Sequence, residues 1–118
     1  MNDARCYTTG LLLPDGKTFV VCGGVDDKGN ILSTCEKIDL SSPSNTWSDI
    51  ESMSTARQGH AAVLYDGKMV VIGGFDDPNY FSSCEQYNAT SNTWTEFPSL
   101  NTARAYFGAA VIEGKIYA

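Results

Sequence analysis

Residues 55–101 read TARQGHAAVLYDGKMVVIGGFDDPNYFSSCEQYNATSNTWTEFPSLN, and nearly every feature of this stretch recurs in the segments before and after it. Arg57 to Arg104, Gly67 to Gly114 and Trp47 to Trp94 are each 47 residues apart. The copy that precedes it is looser: Arg5 to Arg57 is 52 residues, Gly16 to Gly67 is 51, Gly23 to Gly73 is 50 and Glu36 to Glu85 is 49. Small insertions spread over the loops of the first copy account for that drift. A repeat of this length is the mark of stacked or radially arranged supersecondary units, so no segment is read alone.

Within one unit the sequence reads as four short strands. Cys6–Leu13 and Thr18–Cys22 flank Pro14-Asp15-Gly16-Lys17, residues that supply the backbone angles of a tight turn, and so form a hairpin. The matching pairs are Gly59–Tyr65 with Met69–Ile72 across Asp66-Gly67, and Tyr106–Ile112 with Lys115–Tyr117 across Glu113-Gly114. Ala61–Tyr65 and Met69–Ile72 are continuous apolar runs without polar alternation, which requires cover on both faces of the sheet. The double glycines Gly23-Gly24 and Gly73-Gly74 end the second strand, where a missing Cβ permits positive φ or close backbone approach. A loop follows, Val25–Leu32 in one copy and Phe75–Phe81 in the next, and it differs where its surroundings match. A third strand is expected near Ser33–Leu40 and Ser82–Asn88, and a fourth at Trp47–Ile50 and Trp94–Phe97, with both tryptophans packing between sheets.

The chain has 118 residues, 42% of them hydrophobic, and a net charge of −6. That charge opposes attraction to nucleic acid or an anionic membrane, which needs clustered Lys and Arg, and it suits a neutral or basic partner. No apolar run approaches the length that spans a bilayer, and Met1–Leu13 lacks the pattern of a signal peptide. Cys6, Cys22, Cys35 and Cys84 have no zinc-type spacing. Cys35 and Cys84 occupy the same position in different units, which makes them poor candidates for a disulfide. A reducing, cytoplasmic setting is expected, with no metal and no cofactor.

His60 is the single histidine and has no nucleophile motif beside it, so it reads as structural. No phosphate loop or EF-hand series is present; Asp26-Asp27 and Asp76-Asp77 read as solvated acids on loops. Asn88-Ala89-Thr90 matches a glycosylation acceptor, a pattern common by accident in Ser/Thr-rich turns. Arg5, Arg57 and Arg104 recur with Glu36 and Glu85, which points first to an Arg/Glu ion pair or backbone hydrogen bonds repeated in each unit.

Taken together, the double glycine after an apolar strand, the C-E of Cys35-Glu36 and Cys84-Glu85, the N-T-W of 45–47 and 92–94, and the A-R of 4–5, 56–57 and 103–104 resemble the Kelch repeat. The turns before Trp47 and Trp94 lack the Asp-x-Gly core of sialidase-type propellers. The resemblance covers two repeats and the opening hairpin of a third. It implies an all-β fold of antiparallel four-stranded blades in a Kelch-type β-propeller, with blade 1 at about 5–51, blade 2 at about 57–98 and the start of blade 3 at about 104–118. Two and a half blades make an incomplete ring. The chain is therefore expected to be a fragment or to self-associate through its open blade faces.

The resemblance also implies a protein-protein interaction module without catalysis, recognising a protein or peptide within a larger adaptor or scaffold. The alternative is a fragment of a propeller enzyme such as a sugar oxidase or epimerase. In Kelch domains that capture peptides, the loop after the double glycine and the segment around the repeat arginine form one rim, with arginines reaching acidic ligands. Carried over by position, this nominates Asp26, Asp27, Arg57, Gln58, Phe75, Asp76, Asp77, Asn79, Tyr80, Phe81, Arg104 and Tyr106. The four aspartates make such a rim acidic here, and Phe75, Tyr80 and Phe81 are the better anchors, because aromatic side chains dominate binding hot spots.

Overall fold

A computed structural model describes residues 1–118. Ten strands follow in order: β1 Thr9–Leu12, β2 Thr18–Cys22, β3 Cys35–Asp39, β4 Trp47–Ile50, β5 Ala61–Tyr65, β6 Lys68–Ile72, β7 Cys84–Asn88, β8 Thr93–Phe97, β9 Ala110–Ile112 and β10 Lys115–Tyr117. They form two four-stranded antiparallel meanders, β1-β2-β3-β4 and β5-β6-β7-β8, and the hairpin β9-β10. The fold is an incomplete β-propeller ring: two blades and one hairpin of a third, with β5 lying against β1 and β9.

The hairpin turns follow from their residues. Asp66 and Gly67 close β5-β6 with φ of 50° and 75°, and Glu113 and Gly114 close β9-β10 with 50° and 74°. Two successive positive φ values match the twist of the flanking strands, and glycine at the second position adopts its angle without strain. The longer turn of blade 1 is held differently. The Asp15 carboxylate accepts from Lys17 N, Thr18 N and Thr18 Oγ1 at 2.6–2.9 Å.

The apolar runs behave as double-faced strands. On β6, Met69 and Val71 join Val20 and Cys22 of blade 1, and Met53 of the segment between the blades, in one core cluster. Val70 and Ile72 join Val63 and Cys84 in a second, against Phe107, Ala109 and Ile116 of the third repeat. Side chains alternate faces along a strand, so a run with both faces covered is apolar throughout; Met69, Val70 and Val71 are fully buried. Each such side chain contributes roughly 1.5–3 kcal/mol. β9 lacks a second neighbour, and Val111 and Ile112 remain exposed.

The first strand of each repeat starts later than the sequence suggests: β1 begins at Thr9 instead of Cys6, β5 at Ala61 instead of Gly59, β9 at Ala110 instead of Tyr106. The cause is one backbone position. Tyr7, Gly59 and Tyr106, each two residues past the repeat arginine, have φ of 53°, 61° and 56°, which breaks an extended ladder. The third strands likewise start at Cys35 and Cys84, because Thr34 O and Ser83 O bond Gly23 N and Gly73 N and each also accepts from the blade's arginine. Trp94 packs against the core cluster shared by blades 1 and 2 and donates Nε1–H to Glu51 O at 2.8 Å, crossing the seam. Trp47 is half-buried and belongs to neither core cluster.

Candidate functional site

The Arg/Glu frame lies at the double-glycine end of each blade. In blade 2 the Arg57 guanidinium donates to Gly73 O at 2.6 Å, Ser83 O at 2.9 Å and Glu85 Oε2 at 3.0 Å. In blade 1 Arg5 donates to Gly23 O at 3.1 Å, Thr34 O at 2.8 Å and Glu36 Oε2 at 2.9 Å. The carboxylates also receive the chain entering the blade: Ser54 N and Oγ bond Glu85, and Asn2 N and Asp3 N bond Glu36. Burial pulls the Arg57 pKa down while Glu85 opposes the shift. The ion pairs expected from the repeated Arg and Glu are therefore present, and they are internal.

The nominated polar residues lie at different depths. Arg57 is fully buried and committed to its own blade, Gln58 is 8% exposed, and Arg104 is half-buried with its guanidinium donating to Ala118 O. Phe81 is half-buried, its ring 5.5 Å from the Arg57 guanidinium, so it covers the frame instead of projecting from it.

The glycine pairs explain how closely the blades approach. A Cβ on Gly23 would lie 2.6 Å from Arg57 O and 2.7 Å from His60 Cε1; one on Gly73 would lie 2.7 Å from Arg104 O. The second glycine of each pair donates its N–H to that same arginine carbonyl of the next repeat, Gly24 N to Arg57 O and Gly74 N to Arg104 O, both at 2.9 Å. His60 lies in this seam. It is 7% exposed, its Nε2–H donates to Cys22 O at 3.0 Å, and burial followed by the charge of Arg57 lowers its pKa to about 4. It is a neutral seam residue. Cys22, Cys35 and Cys84 are buried free thiols; burial pushes Cys22 and Cys84 up, so these two stay protonated and unreactive.

What projects from this end is aromatic. Tyr106 N donates to Gly59 O at 2.8 Å and Gly59 N to Tyr7 O at 3.1 Å, so the three left-handed residues are linked from repeat to repeat. The middle one has no side chain, and the Tyr7 and Tyr106 rings meet edge to face over it at 5.8 Å. Phe75 lies 5.4 Å from Tyr106 and stacks on Tyr80 at 5.3 Å. Tyr7, Tyr80 and Tyr106 are 59%, 59% and 61% exposed, forming one surface built from all three repeats. Desolvation by these neighbours, then the Tyr7 and Tyr80 phenols, raises the Tyr106 pKa. Phe75, Tyr80 and Tyr106 are thus brought together as one group. Tyr7 was not nominated, although its place two residues after Arg5 matches that of Tyr106 after Arg104.

The loops beside the rings share a plan. Val25 bridges Cys6 and Ile31, and Phe75 bridges Gln58 and Tyr80. In each, the first aspartate builds the turn. Asp26 accepts from Lys28 N, Asn30 N and Asn30 Nδ2, the Asn30 side chain leading the lowering of its pKa. Asp76 accepts from Asn79 N, and Asp76 N donates to Asn79 O. The second aspartates, Asp27 and Asp77, are exposed.

The Kelch motif family model matches residues 14–54 and 56–101. The chain belongs to the Kelch-repeat family. Kelch repeat-containing protein kel-10 of Caenorhabditis elegans is 37% identical over 91 residues, 75% of this chain, and a Kelch repeat and BTB domain-containing protein of the same organism is 36% identical over 91 residues, again 75%. This Kelch chain spans 15% of the length of each. The solved structure of YjhT superposes with a TM-score of 0.79 over 95% of this chain and 33% of its own, at 19% identity, a likeness of fold.

Proposed function

We propose that the chain is a protein-interaction module whose docking surface is the ring cluster Tyr7, Phe75, Tyr80 and Tyr106, used for partner recognition within a larger cytoplasmic adaptor or scaffold, without catalysis, cofactor, nucleic acid or membrane. One observation carries the reading. Tyr7 and Tyr106 hold the left-handed backbone conformation that Gly59 holds between them, at a cost of roughly 1–2 kcal/mol for a residue with a Cβ, and the result is an exposed ring. Strain kept at a solvent-facing aromatic points to use in binding. Exposed Tyr is also the kind of side chain that anchors interfaces. The name of the BTB-containing relative supports the adaptor setting. Open blade faces at Val111, Ile112 and Tyr117 offer a surface for self-association.

The test is affinity capture from cell extract with the parent chain and with a Tyr80→Ser/Tyr106→Gly variant, followed by quantitative identification. Partners recovered by the parent should be depleted at least about ten-fold with the variant, as for loss of hot-spot side chains. Equal recovery by the two folded proteins rejects the rim as the docking surface.

A further inference from the structure

We infer that the occupant of this rim is an arginine-bearing segment of a partner protein, its guanidinium groups stacked on the tyrosine faces and paired with Asp27 and Asp77. The inference rests on the rim being the docking surface and names what that surface selects.

Charge is the first observation. All three arginines have their guanidiniums engaged within the chain: Arg5 and Arg57 on buried carboxylates, Arg104 on Ala118 O. Lys17 and Lys68 lie in or beside the hairpin turns at the far ends of the strands, Lys115 follows the third such turn, and Lys37 lies on β3. Lys28 is the one lysine beside the rings, on the loop tied by Asp26. Against it stand Asp26, Asp27, Asp76 and Asp77 on the two loops that flank the rings. An acidic ligand would meet this field without a free guanidinium to pair with, whereas a cationic one is drawn in.

The division of labour within each aspartate pair is the second. Asp26 and Asp76 are used up in making their turns, while Asp27 and Asp77, at matching positions of successive repeats, donate to and accept nothing in the chain. Asp27 borders two adjoining clefts. One, of about 250 Å³, is lined by Ala4, Arg5, Cys6, Val25, Asp26 and Asp27; the other, of about 410 Å³, reaches Asp3, Lys28 and Thr34. Cys6 in the wall of the first is next in the chain to Tyr7, and Asp27 puts a free carboxylate in the same wall.

Ring geometry selects the kind of cation. The rings contact one another in a row, Tyr7–Tyr106 edge to face, Tyr106–Phe75 tilted and Phe75–Tyr80 stacked, at 5.3–5.8 Å between centroids, so each packs on its neighbour and the exposed tyrosines offer separate ring faces. An ammonium or methylated ammonium is held by several rings around one point. A flat guanidinium stacks on one ring face and keeps its edge free for a bidentate carboxylate bond.

The experiment is a titration of the full 118-residue chain, followed by NMR of the tyrosine rings and of the Asp27 and Asp77 amides. The probes are a short peptide alternating arginine with glycine and proline, its citrulline counterpart of the same shape without charge, and its glutamate counterpart. The arginine peptide is expected to shift the Tyr7, Tyr80 and Tyr106 resonances and to bind about five- to ten-fold tighter than the citrulline peptide. That advantage should shrink between about 0.1 M and about 1 M salt, as the screening length falls from about 10 Å to about 3 Å. It should vanish in the Asp27→Asn/Asp77→Asn variant, whose exchanged side chains hold no part of the fold. If the citrulline peptide binds the same rings equally well, or the glutamate peptide binds better, the cationic preference is overturned while the docking surface stands. If no peptide moves the ring resonances, both readings fall.

Discussion

Blade 1 and blade 2 contain the same frame in different surroundings. Arg5 with Glu36 and Arg57 with Glu85 make the same set of bonds within their own blades, to the first glycine's carbonyl, to the residue before the third strand and to each other. The faces differ. In β5 of blade 2 Ala61 and Val63 are buried, whereas β1 of blade 1 has no buried residue and its Leu12 is 41% exposed. The position two residues past the arginine carries Tyr7 in one and Gly59 in the other. The frame is therefore an internal property of one blade, repeated; core burial comes from the neighbour; and the rim is where the copies are free to diverge.

The largest expected effect tests whether the frame is internal. Arg57→Ala strands Glu85, 4% exposed, without its counter-charge, a loss of about 3–5 kcal/mol. Arg5→Ala strands Glu36, which is fully buried, and should cost the same to within about 1 kcal/mol. Urea unfolding of both variants makes the comparison. A far larger loss for Arg57→Ala would place the stabilisation in the seam and break the symmetry.

Next comes the seam itself, where Thr8, His60 and Phe107 occupy one repeat position. The folded protein binds the His60 proton with a pKa near 4, below the ordinary 6.5. The unfolded chain thus holds more protons between these values, and stability falls as pH drops from about 6.5 to about 4, by up to about 3 kcal/mol. His60→Phe, which copies the third repeat, should flatten that part of the pH dependence. An unchanged slope would show that carboxylates, not the seam histidine, set it.

The glycines separate close approach from turn geometry. Gly23→Ala would press a methyl onto Arg57 O and the His60 ring and should cost about 2–3 kcal/mol. Gly67→Ala keeps an equally positive φ with nothing within 4 Å of the new Cβ, so only the backbone strain of about 1 kcal/mol remains. Equal midpoints in thermal unfolding would deny that blade packing distinguishes the two.

Much of this was legible in the sequence, and for a definite reason. A blade's frame depends on residues whose chemistry recurs at fixed spacing, so Arg, Glu, Gly-Gly and Trp announced the strands, the ion pair and the double-sided core. The rim was legible in part. Phe75, Tyr80 and Tyr106 could be nominated by position, but spacing does not tell which way a guanidinium points, so Arg57 could be read both as half of an ion pair and as a rim residue; burial and Glu85 hold it inside. Tyr7 was missed because its contact with Tyr106 passes over Gly59, an absence of side chain that only the repeat-to-repeat bonds of the left-handed residues reveal.

The smallest expected effect on stability falls on that same position. Tyr106→Gly gives the third repeat the residue that blade 2 already has. It removes a Cβ from a backbone at φ 56°, relieving roughly 1–2 kcal/mol of strain, and forfeits the edge-to-face and tilted contacts with Tyr7 and Phe75, worth about 0.5–1.5 kcal/mol each. The two terms nearly cancel, so the unfolding midpoint should stay within about 1 kcal/mol of the parent. Docking of the arginine peptide should nonetheless weaken, because the ring that is lost faces solvent and lies between Tyr7 and Phe75. A variant that lost stability heavily would mean that Tyr106 is a packing residue whose exposure is incidental. Unchanged stability with weakened binding would separate the two jobs of the blade end: a frame that holds the repeats together and a surface that the repeats present.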